Sequence, residues 1–179
     1  CIVKTLAHDA MPSRHANMLK QLYMSTLVRN TIMFKEIQRI TERFEQGNMK
    51  PVFLKGPVLC EKLYKDIGLR SFGDFDVLIH QEHVNTATQL LRDMGYVPER
   101  EFDPKHVSVS AESWPGHPHE EPMIRKGDSS LVPIYKVEVH RFYPYYGVDV
   151  SEMMSNIEKT ACGGGLVWTL SEIDHTIFL

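Results

Sequence analysis

The stretch PVFLKGPVLCEKLYKDIGLRSFGDFDVLIH, residues 51 to 80, decides the fold of this chain. It opens with PVFLK (51–55), a β-branched and aromatic run that reads as a short buried strand. Gly56-Pro57 follows, and VLCEKLYKDIG then has helical spacing up to Gly68. Proline suits the first helical turn, where its missing N–H would have no partner anyway. FGDFDVLIH alternates and predicts a second strand. In it Asp74 and Asp76 alternate with Phe75, Val77 and Ile79, so both carboxylates leave one face, their Cβ atoms roughly 7 Å apart. Bare, they would repel, and one would be driven toward protonation. A divalent cation removes that penalty, because hard oxygen ligands suit Mg²⁺. Two carboxylates at this separation also grip a pair of ions about 3.5–4 Å apart, the geometry of in-line phosphoryl displacement.

Upstream, residues 16 to about 46 read as one long helix, with Leu19, Leu22, Tyr23, Leu27, Met33, Ile37, Ile40 and Phe44 at spacings near three and four. This Met-rich and aromatic stripe is read as core packing, and Gly47-Asn48 as its stop. Downstream, QEHVNTATQLLRDMG is a helix closed by Gly95, YVPE a short strand, and HVSVS (106–110) another. Residues 111 to 130, with three prolines and two glycines among charges, read as a loop or irregular hairpin tip. IYKVEVHRF (134–142) alternates clearly and is the third strand, with Ile134, Lys136, Glu138 and His140 on one side and Tyr135, Val137 and Val139 on the other. CGGGL (162–166) reads as a flexible turn. Ser171 and Asp174 have the spacing of a capping box that opens a last helix.

Glu138 is the best third carboxylate, an acid on the polar face of a strand whose other face is apolar. His140 and Lys136 share its side. The turn Lys55-Gly56-Pro57 supplies a second half, since a helix N-terminus behind a glycine is a natural phosphate seat. Taken together, PVFLKGPVLCEKLY, GLRSFGDFDVLI and VEVHRF resemble the DNA polymerase β-type nucleotidyltransferase superfamily. The nearest branch is that of the uncharacterised nucleotidyltransferases, with an LKG turn, an R-x-x-x-D-x-D strand and a later E-x-H strand. The resemblance covers roughly residues 50 to 142. It implies an α+β fold: a mixed β-sheet flanked by helices, preceded by a long N-terminal helix and followed by a truncated helical part. The implied division is 1–48 helical, 49–150 catalytic core and 151–179 the start of a C-terminal helical region. It further implies that Asp74, Asp76 and Glu138 are catalytic and hold two Mg²⁺ ions, or Mn²⁺ in their place. Lys55, Gly56, Arg70 and Gly73 would bind a nucleoside triphosphate, with His140 and Lys136 beside the substrate. One departure is Pro57, which stands where the superfamily has a second glycine or a serine that touches phosphate.

The expected activity is transfer of a nucleoside monophosphate from a triphosphate to a hydroxyl of a small molecule, peptide or protein. The alternatives are a nucleotide-binding scaffold of the same fold, or a toxin–antitoxin type enzyme that modifies a partner protein or transfer RNA. A hydrophobic fraction of 42% and a charged fraction of 24% fit one globular domain. A net charge of -3 gives no basic face for long nucleic acid. Cys1, Cys60 and Cys162 show no paired spacing, which points to reduced thiols and a cytoplasmic setting. No run reaches the roughly 18 apolar residues of a membrane span. His117, His119, Glu120 and Glu121 lie in a proline-rich loop with no distant partner pair for zinc, and read as a solvated surface.

Overall fold

The computed structural model describes residues 13–103, 122–141 and 150–176. The strand expected at 106–110 and the histidines at 117 and 119 lie outside them. In chain order the elements are α1 (Ser13–Gln46), β1 (Val52–Phe53), α2 (Gly56–Lys62), β2 (Phe75–Leu78) and a 3-10 turn (Gln81–His83). There follow α3 (Val84–Asp93), β3 (Val97–Pro98), α4 (Glu99–Phe102), β4 (Met123–Ser129) and β5 (Val132–His140). The chain continues with α5 (Val150–Ser155), β6 (Glu158–Cys162), β7 (Gly165–Thr169) and α6 (Glu172–Thr176).

The strands form one seven-stranded mixed sheet in the order β3-β4-β5-β2-β1-β7-β6. At its centre β2 runs parallel to β5 and antiparallel to β1, and β1 runs parallel to β7. The period of two sorts the side chains into two cores. Phe53, Phe75, Val77, Val137 and Val139 face α1 and α3, where Met33, Phe34, Ile37, Ile40, Phe44, Ala87 and Leu91 meet them. Val52, Leu54 and Leu78 face the other way and join Met153 and Leu170 in a smaller cluster. β2 is therefore buried on both faces, and Asp76 shares a face with this second apolar patch.

Helix α1 divides into two halves. From Met33 to Phe44 its apolar positions are at most 1% exposed, each such side chain contributing about 1.5–3 kcal/mol by burial. Toward the N-terminus Met18, Leu22, Met24 and Val28 are 43–58% exposed, so the stripe is core only along its second half. The helix ends at Gln46, and of the Gly47-Asn48 pair it is the asparagine that turns the chain. Asn48 takes the left-handed conformation (φ 57°), the Met49 N–H bonds Phe44 O and the Asn48 N–H bonds Glu45 O.

Three further segments differ from the sequence reading. Helix α2 ends at Lys62 rather than continuing to Gly68. Beyond it Asp66 accepts the Gly68 N–H at 2.9 Å, and the buried Asn30 of α1 donates to the carbonyls of Ile67 and Arg70 at 2.6 Å each. Local side-chain bonds have replaced the helical ladder. Residues 123–129, expected as loop, form β4 in antiparallel register with β5. The turn expected at 162–166 is only the tip of a hairpin. Gly163 and Gly164 both have positive φ (59° and 87°), which a two-residue hairpin loop demands, and β6 and β7 flank them. Ser171 does cap α6: it accepts the Asp174 N–H at 3.2 Å and donates to its carboxylate at 2.7 Å.

Candidate active site

The parallel register of β2 and β5 sets the site. Phe75 is opposite Val137, Asp76 opposite Glu138, and Leu78 opposite His140. Alternation then turns Asp76, Glu138 and His140 to the same face, away from the main core. One carboxylate oxygen each from Asp76 and Glu138 and a ring nitrogen of His140 lie within 4.8 Å of one another. His140 Nε2 is 2.8 Å from Asp76 Oδ1, and Lys55 Nζ is 3.4 Å from the same oxygen. Lys136 Nζ is 3.0 Å from Glu138 Oε1 and 3.8 Å from Glu99 Oε1. Asp76 and His140 are only 7% and 5% exposed. Asp76 and His140 are held nearly out of water, Glu138 is half-buried beside them, and lysines lie at the margin.

Asp74 sits one residue ahead of β2 and half-buried, so strict strand alternation governs Asp76 but not Asp74. It is not one of the three clustered groups. It does feel them. Burial, and then the charges of Asp76 and Glu138, raise its carboxyl above the ordinary range, with Lys136 opposing. Asp76 moves the other way. Burial pushes it up, but the hydrogen bond and pull of His140, with Lys55 behind, leave its carboxyl below the usual value. Two neighbouring carboxylates are thus driven apart in proton affinity, which is how an environment gives them different tasks.

The turn after β1 is held from a distance. Lys55 adopts φ 43° and ψ −112°, a conformation side chains rarely take. Its backbone N–H donates to Nε2 of the buried His175, 3.2 Å away. Thr169 Oγ1 donates to Phe53 O at 3.1 Å and lies 3.3 Å from His175 Nδ1. With the Thr169 proton committed to Phe53, Nδ1–H must donate to Oγ1, so Nε2 is the bare acceptor and the ring is neutral. Gly56 is buried, and a Cβ there would come 2.9 Å from Cβ of Phe72. Arg70 lies with its guanidinium 5.9 Å from the centre of the Tyr64 ring, while Gly73 is exposed with open space around it.

A family described as uncharacterised nucleotidyltransferase matches residues 1–179. The chain belongs to that family. No curated protein and no solved structure matches it. Membership gives the acid cluster a chemical setting, since nucleotidyltransferases work on a nucleoside triphosphate and an acceptor, with a divalent cation. This family member brings Asp76, Glu138, His140 and Lys136 together on two strands, and Lys55 reaches them from the turn. The two thiols among the described residues stand apart from that chemistry. Burial raises Cys60 to about 11 and Cys162 to about 12, which keeps both protonated and inert. Among the described residues no helix is long and apolar enough to cross a membrane.

His175 is the residue that sequence reasoning passed over. It lies 120 positions from Lys55 and has no local pattern to mark it, although the capping box beside it was legible. Burial, and then the charge of Lys62, lower its pKa from 6.5. In the unfolded chain it takes up a proton near that value, and in the folded chain only at lower pH. Between the two the unfolded state binds more protons, so stability should be steady above about pH 7 and fall as pH drops through this window. Melting temperatures recorded from about pH 7.5 down to about pH 5 should show that decline in the native protein and a weaker one in His175→Gln. At neutral pH His175→Ala should lose about 1–3 kcal/mol, because the Lys55 N–H loses its acceptor. Parallel pH profiles for native and His175→Gln protein would remove this role.

Proposed function

We propose that this chain moves a nucleoside monophosphate from a nucleoside triphosphate to a hydroxyl acceptor, a small molecule, peptide or protein. The observation that carries the reading is the convergence of Asp76, Glu138 and His140 at paired positions of β2 and β5, with Asp74 in their field. The donor set fits a divalent cation: two carboxylate oxygens and one imidazole nitrogen, mutually close, with Asp76 and His140 buried and Glu138 half-buried. Asp74, Asp76 and Glu138 would hold such ions, Mg²⁺ or Mn²⁺. When bound, they would lower the pKa of the attacking hydroxyl and neutralise charge on the phosphoryl group in transfer.

The protein's own groups divide the remaining work. Asp76, depressed in pKa, stays ionised at neutral pH and presents a fixed negative oxygen. His140 and Lys55 hold that oxygen in place from two sides. Lys136 balances Glu138 and Glu99 at the rim. Lys55 and Arg70 are the cations to meet phosphate oxygens, and Gly73, exposed with open space around it, is where the backbone can be approached. The LKG turn, the D-x-D strand and the E-x-H strand resemble those of the polymerase β-type superfamily, and the same roles are proposed by that likeness.

The test is a thermal-shift comparison of the four nucleoside triphosphates, each with and without Mg²⁺ or Mn²⁺. At ligand near one hundred times Kd, binding to the folded state adds about 2.7 kcal/mol, a shift of several degrees. At least one triphosphate should raise the melting temperature only when the metal is present. If none does, the transferase reading falls. Gly56 lies beneath Phe72 and Pro57 has no N–H to offer, which favours a second reading as a nucleotide-binding scaffold. Metal-dependent binding without transfer to any hydroxyl acceptor would select it.

A further inference from the structure

We propose that His140 is a direct ligand of the cation held by Asp76 and Glu138, and that this nitrogen biases the site toward a first-row transition ion over Mg²⁺. The inference rests on the same cluster as the proposed transferase function but concerns only which atoms bind metal. Its geometry is on the structure. His140 occupies the position of β5 two residues beyond Glu138, on the same strand face, and Nε2 points at Asp76 Oδ1 from 2.8 Å. All three ligand atoms fall within 4.8 Å of one another, so a small closing movement of the side chains would let one ion reach all three. His140 and Asp76 are more than nine-tenths buried, so neither is a surface group that happens to lie near an acid.

The arrangement of charge points the same way. Asp76 Oδ1 is met by His140 Nε2 and by Lys55 Nζ, so positive charge and hydrogen-bond donors already converge on this oxygen. Lys55 is long, flexible and partly exposed, and can swing away from Asp76 toward other anions. His140 is fixed by its strand. Nε2 donates to the Asp76 carboxylate here, and a bound ion would take the place of that proton, leaving the neutral ring protonated on Nδ1 and its Nε2 lone pair on the metal. Mg²⁺ prefers oxygen and gives up water reluctantly, whereas imidazole suits transition ions. A site with one nitrogen and two carboxylates therefore discriminates between ions that an all-carboxylate site treats more alike. The Lys136 ammonium at 3.0 Å from Glu138 limits the negative charge available, which makes the neutral nitrogen donor more important to affinity.

The experiment uses the full chain and Mn²⁺ alone, with no nucleotide. Pulsed electron paramagnetic resonance of bound Mn²⁺ should show the modulation of a directly coordinated imidazole ¹⁴N, changed to the ¹⁵N pattern in protein grown with ¹⁵N-histidine. Calorimetry should show His140→Gln weakening Mn²⁺ by about ten-fold or more and Mg²⁺ by less than about three-fold. The wild-type spectrum needs no variant, so a poorly folded His140→Gln does not shelter the idea. No bound Mn²⁺, or bound Mn²⁺ without directly coordinated nitrogen, overturns it. The two readings fail separately. Nitrogen coupling without nucleotidyl transfer retains the ligand and removes the enzyme, and transfer without nitrogen coupling does the reverse.

Discussion

Asp76→Asn is expected to lower nucleotidyl transfer by at least about a thousand-fold while the chain stays folded. Asparagine keeps the size of the side chain and a carbonyl oxygen in the place of Oδ1, so His140 and Lys55 retain an acceptor. What disappears is the negative charge at the one position where β2 and β5 bring two carboxylates and an imidazole together. A cation bound there loses an anionic ligand, and a neutral amide is a far weaker oxygen donor. The readout is incorporation of nucleoside monophosphate with Mg²⁺ and with Mn²⁺, alongside circular dichroism to establish the fold. Transfer within about ten-fold of wild type would remove Asp76 from the mechanism. Stability gives an independent check. The carboxyl of Asp76 is depressed in the folded state, so its contribution is present at neutral pH and lost as pH falls through the folded pKa. The difference in stability between native protein and Asp76→Asn should therefore shrink on acidification, because only the native side chain gains a proton.

How far the sequence carries one toward this site depends on whether the cause of each feature is local. β2 and β5 were legible because apolar residues alternate with polar ones over short runs, and the same alternation turned Glu138 and His140 to one face. The convergence of Asp76 with Glu138 follows once the strands are neighbours, which an alternation can hint at but not show. β4 was hidden by its inward-facing Arg125. A charged residue at a core position erases the alternating pattern, and what excuses it, Glu36, comes from α1, far away in the chain. β6 was hidden for another reason: it is an edge strand with little to bury, and Glu158, Lys159 and Ala161 are all exposed. The glycines between β6 and β7 advertised a turn without advertising what it joined. The half-exposed first part of α1 shows the converse error, because helical spacing of apolar residues reports a possible face and not whether anything covers it. Lys55 and His175 mark the limit. Their contact is a hydrogen bond between a strained backbone and a side chain from α6, and although the LKG turn marks Lys55, nothing in the sequence marks its partner.

The buried charge that concealed β4 also holds the sheet to α1, and removing half of it should be among the most damaging single changes in the protein. Glu36 is 2% exposed. Its Oε1 accepts the Tyr96 hydroxyl at 2.7 Å, and its Oε2 lies 2.8 Å from Arg125 Nη2 and 2.7 Å from Arg39 Nη1. The Arg125 guanidinium also lies 4.5 Å from the centre of the Tyr135 ring and 5.7 Å from that of Tyr96. Burial and the nearby Glu36 charge raise Tyr96, while Arg125 is raised by Glu36 against its own burial. Glu36→Ala leaves the buried Tyr96 phenol without its acceptor and the Arg125 guanidinium with only the exposed Asp128, 3.5 Å from Nη1, so unfolding free energy should fall by about 3–5 kcal/mol. Stabilities of whole domains are about 5–15 kcal/mol, so this is a large share. Arg39, half exposed, adds little to the knot, and Arg39→Ala should change stability by less than about 1 kcal/mol. The pair of changes is the sharper test. Glu36→Met with Arg125→Met removes both charges together and should recover much of what either loses alone, because the penalty comes from an unpartnered charge rather than from the absence of a bond. Urea unfolding with an unchanged slope would measure the native protein, the single variants and the double on one scale. A Glu36→Ala loss below about 1 kcal/mol, or a double variant no better than the singles, would mean that water reaches this charge and that packing alone fastens α1 to the strands bearing the candidate site.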